Sequence, residues 1–230
     1  MVIFGSIIFT SCSKEQQYKN NSIATAHPLA SEAGNDMYIK GGNAADAAVA
    51  AAFTLSVVEP SMSGIGGRLQ AIVRLPNKEI RGIDASTQVP KNYDKKIKAN
   101  NYEKIGIPGT VAGLLEIHSK YGRLDLQTVM EPAINYAMNG FEILEGESIR
   151  QELAKNELIK NKQTAKYFLK NDSIPYDKGE KIIQKDLAKV LKKISTEGSK
   201  GFYEGEIAEK IEEDILANNG FITKEDLKNY

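Results

Sequence analysis

Glu59-Pro60-Ser61-Met62-Ser63-Gly64-Ile65-Gly66-Gly67 is the stretch that decides how this chain is read. It is reached from an alanine-rich run, Gly41-Gly42-Asn43-Ala44-Ala45-Asp46-Ala47-Ala48-Val49-Ala50-Ala51-Ala52. Alanine is the best helix former, and its single methyl lets a helix lie close to its neighbours. Asn43 is placed to cap that helix, and Asp46 falls in the first turn, where the helix dipole favours an anion. Pro60 ends the helix near Val58, because proline has no N–H to give and restricts the residue before it. The glycines that follow leave backbone N–H groups uncrowded. A close-packed helix emptying into a bare turn brings backbone close to a neighbour or a ligand.

Upstream, Pro28 suits the first position of a helix, where its missing N–H costs nothing. Leu29, Ala33 and Met37 then form a stripe, and Gly41 ends that helix. Downstream, Leu69, Ala71, Val73 and Leu75 alternate with more polar residues, the period of a half-buried strand. Pro76-Asn77-Lys78 turns the chain, and a second strand over 79–85 completes a hairpin. The lysine-rich loop 87–102 belongs on the surface. Ile105-Gly106-Ile107-Pro108-Gly109 is a short extended piece, after which Thr110 opens a helix. Val111, Leu114, Leu115 and His118 share one face of it, and Gly122 stops it.

A helix over 126–139 contains Pro132, which is expected to break it or to restart it in a new first turn. Beyond that point the chain reads as mostly helical and solvated, most clearly over 147–160 and 186–197. Leu187, Val190, Leu191 and Ile194 fall at helical spacing in the second of these. Ala208, Ile211, Ile215 and Leu216 mark another helix, ended by Asn219-Gly220. Thr223 with Asp226 three residues on resembles a capping box for a last one.

With 230 residues, 41% of them hydrophobic, the chain can bury a sizeable core in one or two domains. Thirty basic and thirty acidic residues cancel, which argues against nucleic acid or an anionic membrane surface as the main partner. Cys12 is the sole cysteine, so neither an intrachain disulfide nor a thiolate metal cage forms. The two histidines, His27 and His118, stand far apart, and no zinc site is expected. Residues 1–10 are apolar but too short to span a bilayer, and read as a targeting segment. The run ends at Phe9-Thr10-Ser11-Cys12, which resembles the end of a bacterial lipoprotein signal with its true start upstream of Met1. Cys12 is then either a lipidation site or an ordinary residue of a tail. Residues 1–21 are therefore assigned to a truncated signal and polar tether, and 22–230 to the folded part.

Ser63-Gly64-Ile65-Gly66-Gly67 lacks the Gly-Lys-Ser/Thr of a phosphate-binding loop, and it precedes a strand where a dinucleotide fingerprint needs a helix. It reads either as a plain tight turn or as a turn beside a substrate pocket. Ser61, Ser63 and Ser86 lack the Gly-x-Ser-x-Gly context of a serine hydrolase. His118 reads as a packing residue, and His27 as local structure at a helix start.

Together with His27-Pro28-Leu29-Ala30-Ser31 and Ile105-Gly106-Ile107-Pro108-Gly109-Thr110-Val111-Ala112-Gly113-Leu114, the glycine turn resembles the large-subunit start of the γ-glutamyltransferases, or glutathione hydrolases. These are N-terminal-nucleophile hydrolases, and the resemblance runs from Ser22 to Tyr230. It implies an α+β fold, with this chain the helix-rich N-terminal portion of a four-layer αββα sandwich, stopping before most of the sheet. It also implies a precursor that cuts itself before a threonine, which heads a small subunit and attacks the γ-amide with its own α-amino group as base. That threonine is expected beyond Tyr230, so no residue here is assigned as catalytic and the chain alone is expected to be inert. No metal or organic cofactor is implied. The implied partners are a γ-glutamyl or related amide and the small subunit, with the membrane reached only through a lipid anchor on an exported periplasmic or cell-surface lipoprotein.

Two positions depart from the family pattern. Arg68 follows Gly67 where the family usually continues with glycine, and is either a surface charge or a planar donor for a ligand carboxylate. Asp84-Ala85-Ser86-Thr87 stands where the family has Asp-Phe-Arg-Glu, whose arginine holds the α-carboxylate of the γ-glutamyl group. Ser86 cannot supply that bidentate, charged contact. Arg68 and Ser86 are therefore the substrate-binding candidates, expected at one end of the hairpin and facing one pocket. A related acylase or amidase with a different acyl pocket, or a non-catalytic lipoprotein keeping the scaffold, are the alternatives.

Overall fold

The computed structural model describes residues 21–94, 96 and 101–230, so Cys12, most of the signal and tether and part of the lysine-rich loop lie outside it. Two helices, α1 (Pro28–Ile39) and α2 (Ala44–Val58), pack side by side. Glycine lets them approach closely: a Cβ on Gly34 of α1 would lie 3.0 Å from the Ala47 carbonyl of α2. The N-terminus of α2 carries a reciprocal cap. The Asn43 side chain accepts from the Ala45 and Asp46 N–H groups, and Asp46 accepts from the Asn43 N–H at 2.8 Å. Asp46 is fully buried and also accepts from the backbone N–H groups of Arg123 and Leu124, so it bolts α2 to the connection between the next two helices.

Those helices are α3 (Thr110–Tyr121) and α4 (Leu126–Asn139). Pro132 neither breaks nor restarts α4, contrary to the expectation from sequence: the helix runs through it. Val129, Met130, Ala133 and Ala137 are buried against α2 and a later helix, α7 (Lys185–Glu197). That packing outweighs the roughly 3 kcal/mol an internal proline costs. The half-buried Thr128, whose carbonyl loses its helical donor, sits near the surface.

The hairpin forms as the alternation predicts. Strand β1 (Leu69–Arg74) pairs antiparallel with β2 (Ile80–Ala85), from Leu69 opposite Ala85 to Arg74 opposite Ile80. It lies on α3 where that helix has no side chain: a Cβ on Gly113 would sit 2.6 Å from both the Ala85 Cβ and a Leu69 methyl. A second ribbon, β3 (Phe141–Glu142) with β4 (Lys181–Ile182), is too short to leave a period in sequence. Between these strands come α5 (Glu145–Leu158) and α6 (Lys162–Phe168). The chain finishes through α8 (Lys200–Tyr203), α9 (Gly205–Ala217) and α10 (Lys224–Lys228). Thr223 and Asp226 make the anticipated capping box on α10.

The architecture is α+β, with one continuous apolar core running from Met37 and Phe53 through Leu114 and Met130 to Leu191 and Leu227. Among the described residues no helix is long and apolar enough to cross a membrane.

Candidate functional site

The glycine turn is held at both ends by backbone. Leaving α2, the Met62 and Ser63 N–H groups both donate to the Glu59 carbonyl, at 3.0 and 2.8 Å. At the far end the Gly67 carbonyl accepts from Gly109 (2.9 Å) and Thr110 (3.2 Å), two of the N–H groups that α3 leaves without helical partners. The turn therefore caps α3. Only glycine fits at 109, because a Cβ there would lie 2.1 Å from the Tyr230 hydroxyl and 2.2 Å from the Ala85 carbonyl. Tyr230 donates to the Ser86 carbonyl at 2.7 Å and stacks on Tyr203, with ring centres 5.7 Å apart. Tyr203 in turn donates to the Pro108 carbonyl and accepts from the Ala112 N–H. Burial pushes its phenol well above the usual range, so it stays a neutral strut.

A cavity of about 600 Å³ opens beside this junction, walled by Leu55, Pro60, Ser61, Met62, Arg68 and Thr110. The Thr110 hydroxyl is buried there without a hydrogen-bond partner among the described residues. Arg68 is exposed at the cavity, and no ion pair engages it among the described residues.

Ser86 differs in its surroundings. The Leu69–Ala85 pair places Arg68 and Ser86 one step beyond it, at the same end of the hairpin. However, the Ser86 hydroxyl donates to Asp84 at 2.5 Å, the Ser86 N–H adds a second bond at 3.1 Å, and Gln70 a third at 3.4 Å. The Ser86 hydroxyl bond, more than that of Gln70, holds the Asp84 carboxyl below its ordinary value. Ser86 is thus committed to Asp84, and it does not line the cavity that Arg68 lines. A larger cleft of about 750 Å³ follows β2 and α3 and includes Asp84, Gly113 and Tyr230.

Both histidines have structural partners. The His118 Nε2 meets the Leu124 carbonyl at 2.9 Å. His27 is the N-cap of α1, its Nδ1 accepting from the Leu29 N–H, so the proton of the neutral ring sits on Nε2. Burial lowers its pKa, an effect partly opposed by the nearby Glu147 carboxylate. Among the described residues no three His, Cys, Asp or Glu side chains gather as a metal site would need.

Sequence reasoning missed one group beside the cavity. Glu147 and Arg150 of α5 look like a solvated face in sequence, yet both reach Ser61. The only available signal was their separation of three residues on one helix face, which many surface pairs share.

Set against known proteins, residues 30–230 match the profile of the family described as gamma-glutamyltranspeptidase. The chain is 38% identical over 208 residues to the capsule biosynthesis protein CapD proenzyme of Bacillus anthracis, covering 90% of this chain and 37% of that protein. It is 37% identical over 228 residues to the glutathione hydrolase proenzyme of Bacillus subtilis, covering 92% and 38%. The structure is similar to that of gamma-glutamyltranspeptidase from Helicobacter pylori, with a TM-score of 0.86, 40% identity, and coverage of 93% of this chain and 66% of that one. The chain thus spans under two-fifths of the length of these curated relatives.

Proposed function

The chain belongs to the γ-glutamyltranspeptidase family, and from that premise we propose that it is the first part of the large subunit of a longer, exported proenzyme. The complete protein transfers or hydrolyses a γ-glutamyl or related acyl amide through a threonine outside these 230 residues. The threonine hydroxyl adds to the amide carbonyl carbon while its α-amino group takes the proton. Collapse breaks the C–N bond, the amine leaves with that proton, and the acyl ester passes to water or to an acceptor amine. The small subunit carrying that threonine is the partner, and residues 22–230 supply scaffold and pocket wall. Cys12 carries the lipid that holds the protein at the membrane.

The observation that carries this reading is the glycine turn fused to the start of α3, with Arg68 at the rim of the adjoining cavity. Among the described residues no ion pair engages the Arg68 guanidinium, whereas Ser86 is spent on Asp84. Arg68 therefore takes the donor's carboxylate. A second reading, an acylase with a different acyl pocket, is favoured by the Asp84 carboxylate, which repels an α-carboxylate brought to Ser86.

The test is Arg68→Ala in the full-length protein. A charge-assisted contact of about 1.5–3 kcal/mol predicts a loss of roughly tenfold to a hundredfold for donors with an α-carboxylate, and none for analogues lacking it. Equal losses, or none, make Arg68 a surface charge. Recovery of γ-glutamyl binding by Ser86→Arg supports the acylase reading. Turnover of a γ-glutamyl anilide by the 230-residue chain alone refutes a nucleophile located elsewhere.

A further inference from the structure

The missed group joins the organising stretch to α5 through side chains alone. Ser61 donates to Glu147 Oε2 at 2.5 Å and accepts from Arg150 Nε at 2.6 Å, so its one hydroxyl is used in both directions and its orientation is set. Glu147 is 3% exposed and takes further donors from Arg150 Nη2 at 3.3 Å and Gln151 Nε2 at 3.2 Å. Gln151 spends its own carbonyl oxygen on the Tyr176 N–H, which fixes the amide. Glu59, the C-cap of α2, lies 3.5 Å from the same Arg150 nitrogen. Two carboxylates thus share one guanidinium at the exit of α2, 86 to 91 residues away along the chain.

The cost of this arrangement sits at Glu147, since Ser61 is exposed and the Arg150 side chain is 34% exposed. A carboxylate as buried as Glu147 is tolerated only while its charge and lone pairs are met, and removing one partner leaves the others uncompensated. A solvated ion pair on α5 would do nothing for the glycine turn. This one fixes Ser61, and Ser61 is where the chain enters the turn. Pro60 and Ser61 wall the 600 Å³ cavity on one side. On the other they wall a pocket of about 250 Å³ that includes Arg150, Gln151 and Phe168. The wall between the two is therefore held from behind by α5. The opposite end of the turn is held by the Gly67 carbonyl on α3, and Met62 and Ser63 are bonded back to Glu59, leaving Gly64 to Gly66 to span the two anchors.

We infer that Glu147 and Arg150, acting through Ser61, are positioning residues that set the wall of the acyl cavity and hence how tightly the donor's acyl group is held. This rests on the reading of that cavity as the acyl site. Neither side chain needs to touch the substrate. Their effect passes through the Ser61 hydroxyl to the backbone of the turn and so to Arg68.

The experiment compares Ser61→Ala, Ser61→Thr and Glu147→Gln in the full-length protein. Ser61→Ala removes the shared hydroxyl and raises KM for the acyl donor about tenfold, with kcat changing less than about twofold. Ser61→Thr keeps the hydroxyl and restores KM, and Glu147→Gln moves KM in the same direction as alanine. Hydrogen exchange is read in parallel on the peptide from Glu59 to Leu69, which contains the Met62 and Ser63 amides bonded to the Glu59 carbonyl. Ser61→Ala speeds it about tenfold and Ser61→Thr does not. A lowered melting temperature with unchanged KM and unchanged exchange overturns the inference, as does a threonine variant no better than alanine. If the wild-type protein shows no acyl transfer, the reading of the cavity fails instead, and the exchange comparison alone decides whether α5 positions the turn.

Discussion

Asp46→Ala tests the claim that the alanine-rich helix is locked into the fold by one buried carboxylate. Asp46 accepts from three backbone N–H groups, those of Asn43 at 2.8 Å, Arg123 at 3.0 Å and Leu124 at 3.3 Å. Alanine leaves all three without their acceptor around a side chain that is fully buried, at about 1–3 kcal/mol each where water does not reach the N–H. Some relaxation and water entry offsets part of this, so about 3–5 kcal/mol is expected, a large share of the roughly 5–15 kcal/mol of a typical domain. The matched control is Asp125→Ala. Asp125 caps α4 by accepting from the Thr128 N–H and hydroxyl, but it is exposed and water can replace those bonds, so it is worth about 1 kcal/mol. Urea unfolding followed by far-UV circular dichroism should move the midpoint by about 1–2.5 M for Asp46→Ala and by about 0.5 M or less for Asp125→Ala, given slopes near 2–3 kcal/mol per M. Equal shifts for the two would refute the reasoning, because both remove a cap and only one removes a buried anchor.

Protonation of His27 opposes folding: burial lowers its pKa in the folded chain, so the unfolded state binds more protons as pH falls below about 6.5. The stability it contributes is present above that pH and is lost as pH falls toward the folded value. His27→Asn keeps a capping acceptor and should flatten the urea midpoint between about pH 6.5 and 5 relative to wild type; identical slopes would remove His27 from the account. For the lipid anchor, expression from an upstream start should incorporate labelled palmitate and Cys12→Ala should abolish it, whereas equal labelling of both forms rules the anchor out.

Much of this fold was legible because its signals are local. Asn43, Asp46 and Pro60 bound α2 through contacts within a few residues, and alternation from Leu69 to Leu75 announced the hairpin. The run from Gly64 to Gly67 and the Ile105 to Leu114 segment were recognisable together, although nothing in either says that they touch. Pro132 misled, since the rule that proline ends a helix weighs only the backbone. Burial of Val129, Met130 and Ala133 weighed more. Of the candidate site, the sequence made only the placement legible: Arg68 and Ser86 were singled out, and the register puts them at one hairpin end. The commitment of Ser86 to Asp84 was not foreseen, because a hydroxyl two residues from a carboxylate has many other possible partners.

The sequence by itself determined the longer helices, the β1–β2 hairpin, the caps at Asn43 and Thr223 and the order of the motifs, since each depends on dihedral preference and on partners within about four residues. Tertiary structure alone decided which charges are buried. Glu147 and Arg150 read as a surface pair until the fold brings Ser61 to them across 86 and 89 residues. Tyr230 and Ser86 meet across 144, and the Asp46 carboxylate finds its last donors across 77 and 78. Dehydration of a polar group is a property of everything packed around it, and no window along the chain contains that information.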